Sequence, residues 1–113
     1  MRYAFSWILK THTYNSKLIT MLLEIVSPEA KLFSGEITSL SLPGVDGEFQ
    51  ILNNHAPIVS LLKKGTVKIA APSFNISKET VGKFTKVNDQ LYTLSVDSGT
   101  IEMKDNKIIL LAD

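Results

Sequence analysis

The chain has 113 residues, 44% of them hydrophobic, with 12 basic and 11 acidic side chains and no cysteine. That is the size and composition of one globular domain, and it excludes disulfide scaffolds, thiolate metal sites and cysteine nucleophiles. The formal charge of +1 is uneven: Arg2, Lys10 and Lys17 lie in an acid-free stretch over residues 1–20, every acidic residue lies beyond it, and no basic stripe for nucleic acid results.

Residues 1–20, MRYAFSWILKTHTYNSKLIT, stand apart from the rest of the chain. The apolar run Tyr3–Leu9 contains Ser6 and no small-x-small cleavage site comes after it, so a secretory signal is disfavoured. Hydroxyl residues without acids are a transit-peptide trait, but a single arginine is thin for one. A membrane-spanning helix would need about 20 apolar residues in a row. The segment is expected to be an extension outside the fold, disordered or upstream of the true start. Residues 21–113 are expected to form the domain.

From there the pattern is one of short strands. Leu23–Val26 reads as a strand closed by Ser27-Pro28, and Lys31–Phe33 restarts the chain. Ser34-Gly35 then predicts a bulge or bend. Glu36–Leu42 alternates, with Leu40 and Leu42 against Ser39 and Ser41, the period of a strand with one buried face. Pro43-Gly44 and Asp46-Gly47 supply turn chemistry. Glu48–Leu52 alternates again and stops at Asn53-Asn54, and Pro57 makes Ala56 extended. Two strands thus flank a loop-rich edge carrying Asp46, Glu48 and His55, where function is sought.

Ile58–Leu62 is a further apolar run, Lys63-Lys64-Gly65 a turn, and Thr66–Ile69 a strand with Val67 and Ile69 on one face. Ala70–Asn88 reads as a loop or long hairpin tip, with at most one helical turn at Lys78-Glu79-Thr80. Leu91–Val96 is a period-2 strand and Asp97-Ser98-Gly99 a turn. Ile101 and Met103 mark the next strand, Asp105-Asn106 a two-residue type I′ hairpin loop, and Ile108–Leu111 the last strand. Regularly spaced short strands and no helical periodicity predict an all-β fold, a flattened sandwich or barrel.

Chemistry is sparse. No G-x-S-x-G, H-E-x-x-H or phosphate-cradling glycine loop occurs. Glu48 and His55, seven residues apart, could in principle form a carboxylate–imidazole pair, but nothing supplies a nucleophile or oxyanion donor beside them. His55 in NNHAP also fits a purely local role, its ring bonded to a turn carbonyl. No catalytic residue, metal ligand, cofactor or nucleotide site is expected.

The run Leu23–Ile69 carries LEIVSPE, LFSGE, PG-x-x-GEF-x-IL and NHAP with a Lys-Gly after it, and Ile101–Asp113 reads IEMKDNKIILLAD. In this order and spacing, over about three fifths of the 113 residues, these motifs resemble the ε subunit of F-type ATP synthases. The resemblance implies a flattened β-sandwich of about ten strands. It implies a non-catalytic rotor subunit, peripheral on the cytoplasmic face of a bacterial inner membrane rather than in an organelle. Its partners would be the γ shaft and the membrane c-ring of a proton-translocating complex. It places Asp46, Gly47, Glu48, Phe49 and His55 on the ring side. Phe33, Ser34, Gly35, Ile58 and Leu62 are candidates for the γ side.

Two departures from the family pattern are expected: no C-terminal helical hairpin after Asp113, hence no helix reaching the catalytic head, and an insertion over Ala70–Asn88. From the residues alone a second class stays open, a free-standing β-sandwich module binding a soluble ligand or protein through the same loop edge. An apolar pocket with convergent polar groups would mark it.

Overall fold

The computed structural model describes residues 20–113; the expectations for residues 1–19 lie outside them. Ten strands succeed one another: β1 Met21–Val26, β2 Lys31–Ile37, β3 Ser39–Gly44, β4 Gly47–Leu52, β5 Ile58–Leu62, β6 Gly65–Ala70, β7 Phe84–Asn88, β8 Leu91–Val96, β9 Gly99–Lys104 and β10 Lys107–Ala112. Among the described residues the one helical piece is a 3-10 turn, Val81–Lys83, and no helix is long and apolar enough to cross a membrane.

The strands form because alternate residues can share one apolar interior. In β1, Met21, Leu23 and Ile25 point inward; in β9, Ile101 and Met103 do; in β10, Ile108, Leu110 and Ala112 do. Pairing runs β2-β1-β10-β9-β5-β3-β6-β8-β7, with β4 attached to β3 alone. The two halves, β2-β1-β10-β9-β5 and β4-β3-β6-β8-β7, are joined in register at a single pair, Gly44 opposite Leu62. The sheet curls there, and both halves close over one core in which Leu23, Ile108 and Met103 share a cluster with Leu40, Ile51 and Val67. The all-β sandwich expected from the sequence is therefore present. β1 and β10 run parallel, Leu23 opposite Ile108 and Ile25 opposite Leu110.

The turn at Asp105-Asn106 is as predicted, with φ of 53° and 62°, the positive pair that a type I′ hairpin requires. Three local expectations need correction. Pro43-Gly44 is not a turn: both residues extend β3, and the turn contracts to Val45-Asp46. Pro43 is tolerated because β6 pairs with β3 only as far as Ser41, so no strand ladder asks for the missing N–H. Its carbonyl accepts from Lys63 N at 2.8 Å.

The bulge falls at Leu32 rather than at Ser34-Gly35. Ile25 pairs with Phe33 and Val26 with Lys31, while Gly35 lies in regular register opposite Leu23. Finally, Ala70–Asn88 is not all loop. It contains β7, which has one buried residue, Phe84, and so no alternation to read. Its first part packs inward, with Phe74 and Ile76 against the core. Thr80 is buried, and its hydroxyl donates to the carbonyl of the bulged Leu32 at 3.3 Å.

Candidate docking site

Strand pairing in the β3–β4 hairpin fixes what the Val45–Phe49 segment can present. Gly44 opposes Gly47 as the closing pair of a two-residue turn. Gly47 has φ +130°, a conformation L side chains rarely adopt. A Cβ on Gly44 would come within 2.8 Å of both Gly47 O and the Phe49 ring. Phe49 therefore lies against the hairpin backbone, half-buried on the core, rather than standing free. Val45, Asp46, Gly47 and Glu48 are exposed. Glu48 reaches Lys68 Nζ at 3.7 Å, with both side chains more than half exposed at 58% and 53%. Such a solvated pair contributes at most about 1 kcal/mol.

His55 is elsewhere. Six residues of β4 separate the Val45-Asp46 turn from the next loop, and at about 3.3 Å per residue the two ends of that strand lie roughly 17 Å apart. The single loop-rich edge expected to carry Asp46, Glu48 and His55 is thus two opposite ends, and Glu48 and His55 cannot act as a pair. His55 N donates to Leu52 O at 3.1 Å, and its ring Nδ1 lies 2.8 Å from Ala56 O. These are the bonds of a local turn.

That far end is organised by Asn106. Its Oδ1 accepts from Asn54 N at 2.9 Å, while its Nδ2 donates to Thr20 O at 3.2 Å and Asn53 Oδ1 at 2.6 Å. One side chain ties the β4–β5 loop to the approach to β1. Its sequence signal is the hairpin turn; nothing local announces the second role.

The five residues expected on the γ side divide. Phe33 and Leu62 are core residues, 5% and 3% exposed, and Ile58 packs against that core. Phe33 meets Phe74 and Phe84 at ring-centroid distances of 6.0 and 6.4 Å, and a Cβ on Gly35 would meet its ring at 3.2 Å. Ser34 is exposed, but Phe33 and Leu62 point inward and are buried, and Ile58 is partly buried against them. Their neighbours of opposite parity on β5 are exposed, Val59 at 75% and Leu61 at 60%, and Leu52, Val45 and Leu111 are exposed at 50–53%, with Leu22, Val81 and Val87 exposed elsewhere. Val45 N donates to Leu61 O at 3.1 Å, and Leu61 and Leu111 both stand opposite Thr100. Val45, Leu61, Thr100 and Leu111 line one hollow of about 400 Å³. A signal for this patch exists in Ile58–Leu62, where both parities are apolar, a pattern shared by β1 and β10.

The groove of about 420 Å³ lined by Ser27, Glu29, Leu32 and Lys83 has a mixed lining in which Lys83 meets Glu29 at 3.9 Å. Among the described residues no group of His, Cys, Asp and Glu has the geometry of a metal site.

Comparison with known proteins adds three findings. Residues 20–113 match the family model described as ATP synthase, Delta/Epsilon chain, beta-sandwich domain. The chain is 40% identical over 94 residues to the ATP synthase epsilon chain of Desulforamulus reducens, covering 83% of this chain and 59% of that one. It is 36% identical over 91 residues to that of Chlorobium limicola, covering 80% of this chain and 86% of that one. It thus spans about three fifths of the length of the first relative. In fold it is similar to a chain in the Euglena gracilis mitochondrial ATP synthase, with a TM-score of 0.65 at 12% identity, covering 83% of this chain and 51% of that one. A chain in the central stalk and c-ring of the Tetrahymena thermophila enzyme gives 0.61 at 14%, covering 81% and 62%.

Proposed function

The chain belongs to the delta/epsilon family of ATP synthase chains, and from that premise we propose that it is a non-catalytic central-stalk subunit of a proton-translocating F-type ATP synthase. It joins the γ shaft to the membrane c-ring and turns with both. It works peripherally, at the cytoplasmic face of a bacterial inner membrane. The observation that carries this reading is that the family match runs through every strand of the sandwich, β1 to β10.

The role needs no bond-making step. It needs a body that does not shear under torque and two surfaces of different character. The body is the closed core, with Ile25, Ile37, Leu40, Leu42, Ile51 and Leu110 fully buried. The ring-facing surface is the tip Asp46-Gly47-Glu48, polar and solvated, suited to seating against polar loops in water. Phe49 supports the tip from beneath and His55 takes no part in it. The shaft-facing surface is the apolar set Val45, Leu52, Val59 and Leu61, whose burial supplies the non-directional adhesion typical of an interface core.

The test is reconstitution of the full chain with purified γ subunit and c-ring of an F-type synthase. A complex containing all three, and ATP-driven proton pumping restored to membranes depleted of their own stalk subunit, is expected. A folded chain that binds neither partner overturns the reading.

A further inference from the structure

Three strands at the margins of the two halves, β2, β7 and β4, are treated differently. β2 is broken by the bulge at Leu32, and Thr80 caps the freed carbonyl. β7 slips register between Lys86 and Asn88 and carries Lys83 at its approach and Lys86 within it. Bulges, lysines and covering loops are the devices by which sheet edges avoid pairing with other chains. β4 has none of them: it pairs with β3 alone, in unbroken register from Gly47 to Leu52, and contains neither lysine nor proline.

Hairpin geometry says which of its backbone groups are free. With Gly44 and Gly47 as the hydrogen-bonded closing pair of the two-residue turn, the pairs Leu42–Phe49 and Leu40–Ile51 are also bonded, and the alternate residues are not. Pro43, which has no N–H, stands opposite Glu48 in just such an unbonded pair. The N–H and C=O of Glu48 and Gln50, and the N–H of Leu52, therefore point away from β3. The Leu52 carbonyl is taken by His55 N. Glu48, Gln50 and Leu52 are all exposed.

We infer that this edge is a strand-addition site, and that an extended segment of the γ shaft pairs with β4 through the backbone of Glu48, Gln50 and Leu52. The inference rests on the stalk reading above and deepens it. The chemistry selects the occupant. Alternating free donors and acceptors at strand spacing recognise an extended backbone. The exposed Leu52 on β4, part of the apolar surface assigned above to the shaft, asks for an apolar side chain beside it. The segment uses only the backbone of Glu48, whose exposed carboxylate stays with the ring-facing tip. A second copy of this chain fits poorly. Antiparallel self-pairing centred on Gln50 sets the Glu48 carboxylate against Leu52, and centred on Glu48 it sets two carboxylates face to face.

The experiment is residue-resolved amide hydrogen exchange on the full chain, alone and with purified γ subunit. Phe49 and Ile51 are protected in both samples; Glu48, Gln50 and Leu52 exchange rapidly alone and gain protection in the complex. In parallel, Gln50→Pro removes one outward N–H while leaving the β3 ladder intact, and Gln50→Ala keeps that N–H. Loss of one backbone bond weakens shaft binding about tenfold for Gln50→Pro, with Gln50→Ala unchanged and thermal melting confirming that both fold. A complex that forms with no gained protection at Glu48, Gln50 and Leu52 overturns strand addition and leaves the stalk reading standing. Absence of any complex with γ overturns both. Protection at those three amides that rises with concentration of the chain alone makes the occupant a second copy and also overturns the inference.

Discussion

The two flanks of the sandwich solve opposite problems. On one, between β2 and β7, the stretch from Ala71 to Thr80 crosses the opening. Its Phe74 joins Phe33 and Tyr92 in a ring cluster, with 4.2 Å between the Phe74 and Tyr92 centroids. On the other, β4 and β5 end the two halves with exposed Leu52, Val59 and Leu61 and with unbroken backbone on β4. Hydrophobic surface is thus not distributed by composition, since both flanks are rich in it. On the sealed flank a crossing loop packs Phe74 and Ile76 onto the core while Val81 and Val87 stay exposed, and on the open flank Leu52, Val59 and Leu61 stay in solvent.

That contrast can be broken from either side. The largest effect is expected from Phe33→Ala, which empties the centre of the sealed flank and destabilises the fold by about 3–5 kcal/mol in urea unfolding. Thr80→Val keeps the volume but strands the Leu32 carbonyl, costing about 1–3 kcal/mol by the same measurement. On the open flank the sign of the comparison reverses. Leu61→Ser is expected to change folding stability by under about 0.5 kcal/mol while weakening γ binding, measured by titration calorimetry, about tenfold. Glu48→Lys should leave melting unchanged and slow association with the c-ring, with an altered salt dependence of the on-rate.

The smallest effect belongs to the Lys86–Asp89 pair beside the sealed flank, 2.9 Å apart. The hydrogen bond and charge of Lys86 hold the Asp89 carboxyl below its ordinary pKa of 3.8, and Asp89 in turn raises that of Lys86. A carboxyl lowered in the folded state contributes stability above its unfolded pKa, and the contribution disappears as pH falls through the folded value. The Asp89 titration midpoint, tracked by carboxyl NMR, should therefore move upward in Lys86→Ala.

How far each feature is legible in the residues depends on its physics. Thr66–Ile69 and Leu91–Val96 are legible because one face of each is buried and alternation records that. β7 is not, because a strand with only Phe84 buried leaves no period. Pro43-Gly44 carries turn chemistry, yet tertiary context puts both residues in a strand by withdrawing β6 from the place where a proline N–H would have been missed. The candidate site divides in space for a related reason. Grouping Glu48 with His55 treats nearness in sequence as nearness in space, although the intervening GEFQIL itself reads as extended. Extension is what carries His55 to the far end. Phe33 and Leu62 look like docking residues because periodicity marks an apolar face without saying whether core or solvent lies beyond it. Only the pairing of β5 with β9 settles that Leu62 faces in and Leu61 faces out.

The parallel pairing of β1 with β10 has a consequence for how the chain acquires its fold. Leu23 and Ile108 are neighbours across that ladder, although most of the domain separates them in sequence. A hairpin such as β9–β10 can form as soon as both its strands exist. The second edge of β1 must instead wait for β10, the tenth strand in chain order. During synthesis, then, Met21, Leu23 and Ile25 lack their final β10 neighbours until nearly the whole domain has emerged, an interval in which apolar residues are open to wrong partners. The final registration of the two termini, rather than any local turn, is expected to govern the folding rate. Stopped-flow refolding should show it: weakening the ladder by Ile108→Val should slow folding more than an equally destabilising change within the β3–β4 hairpin.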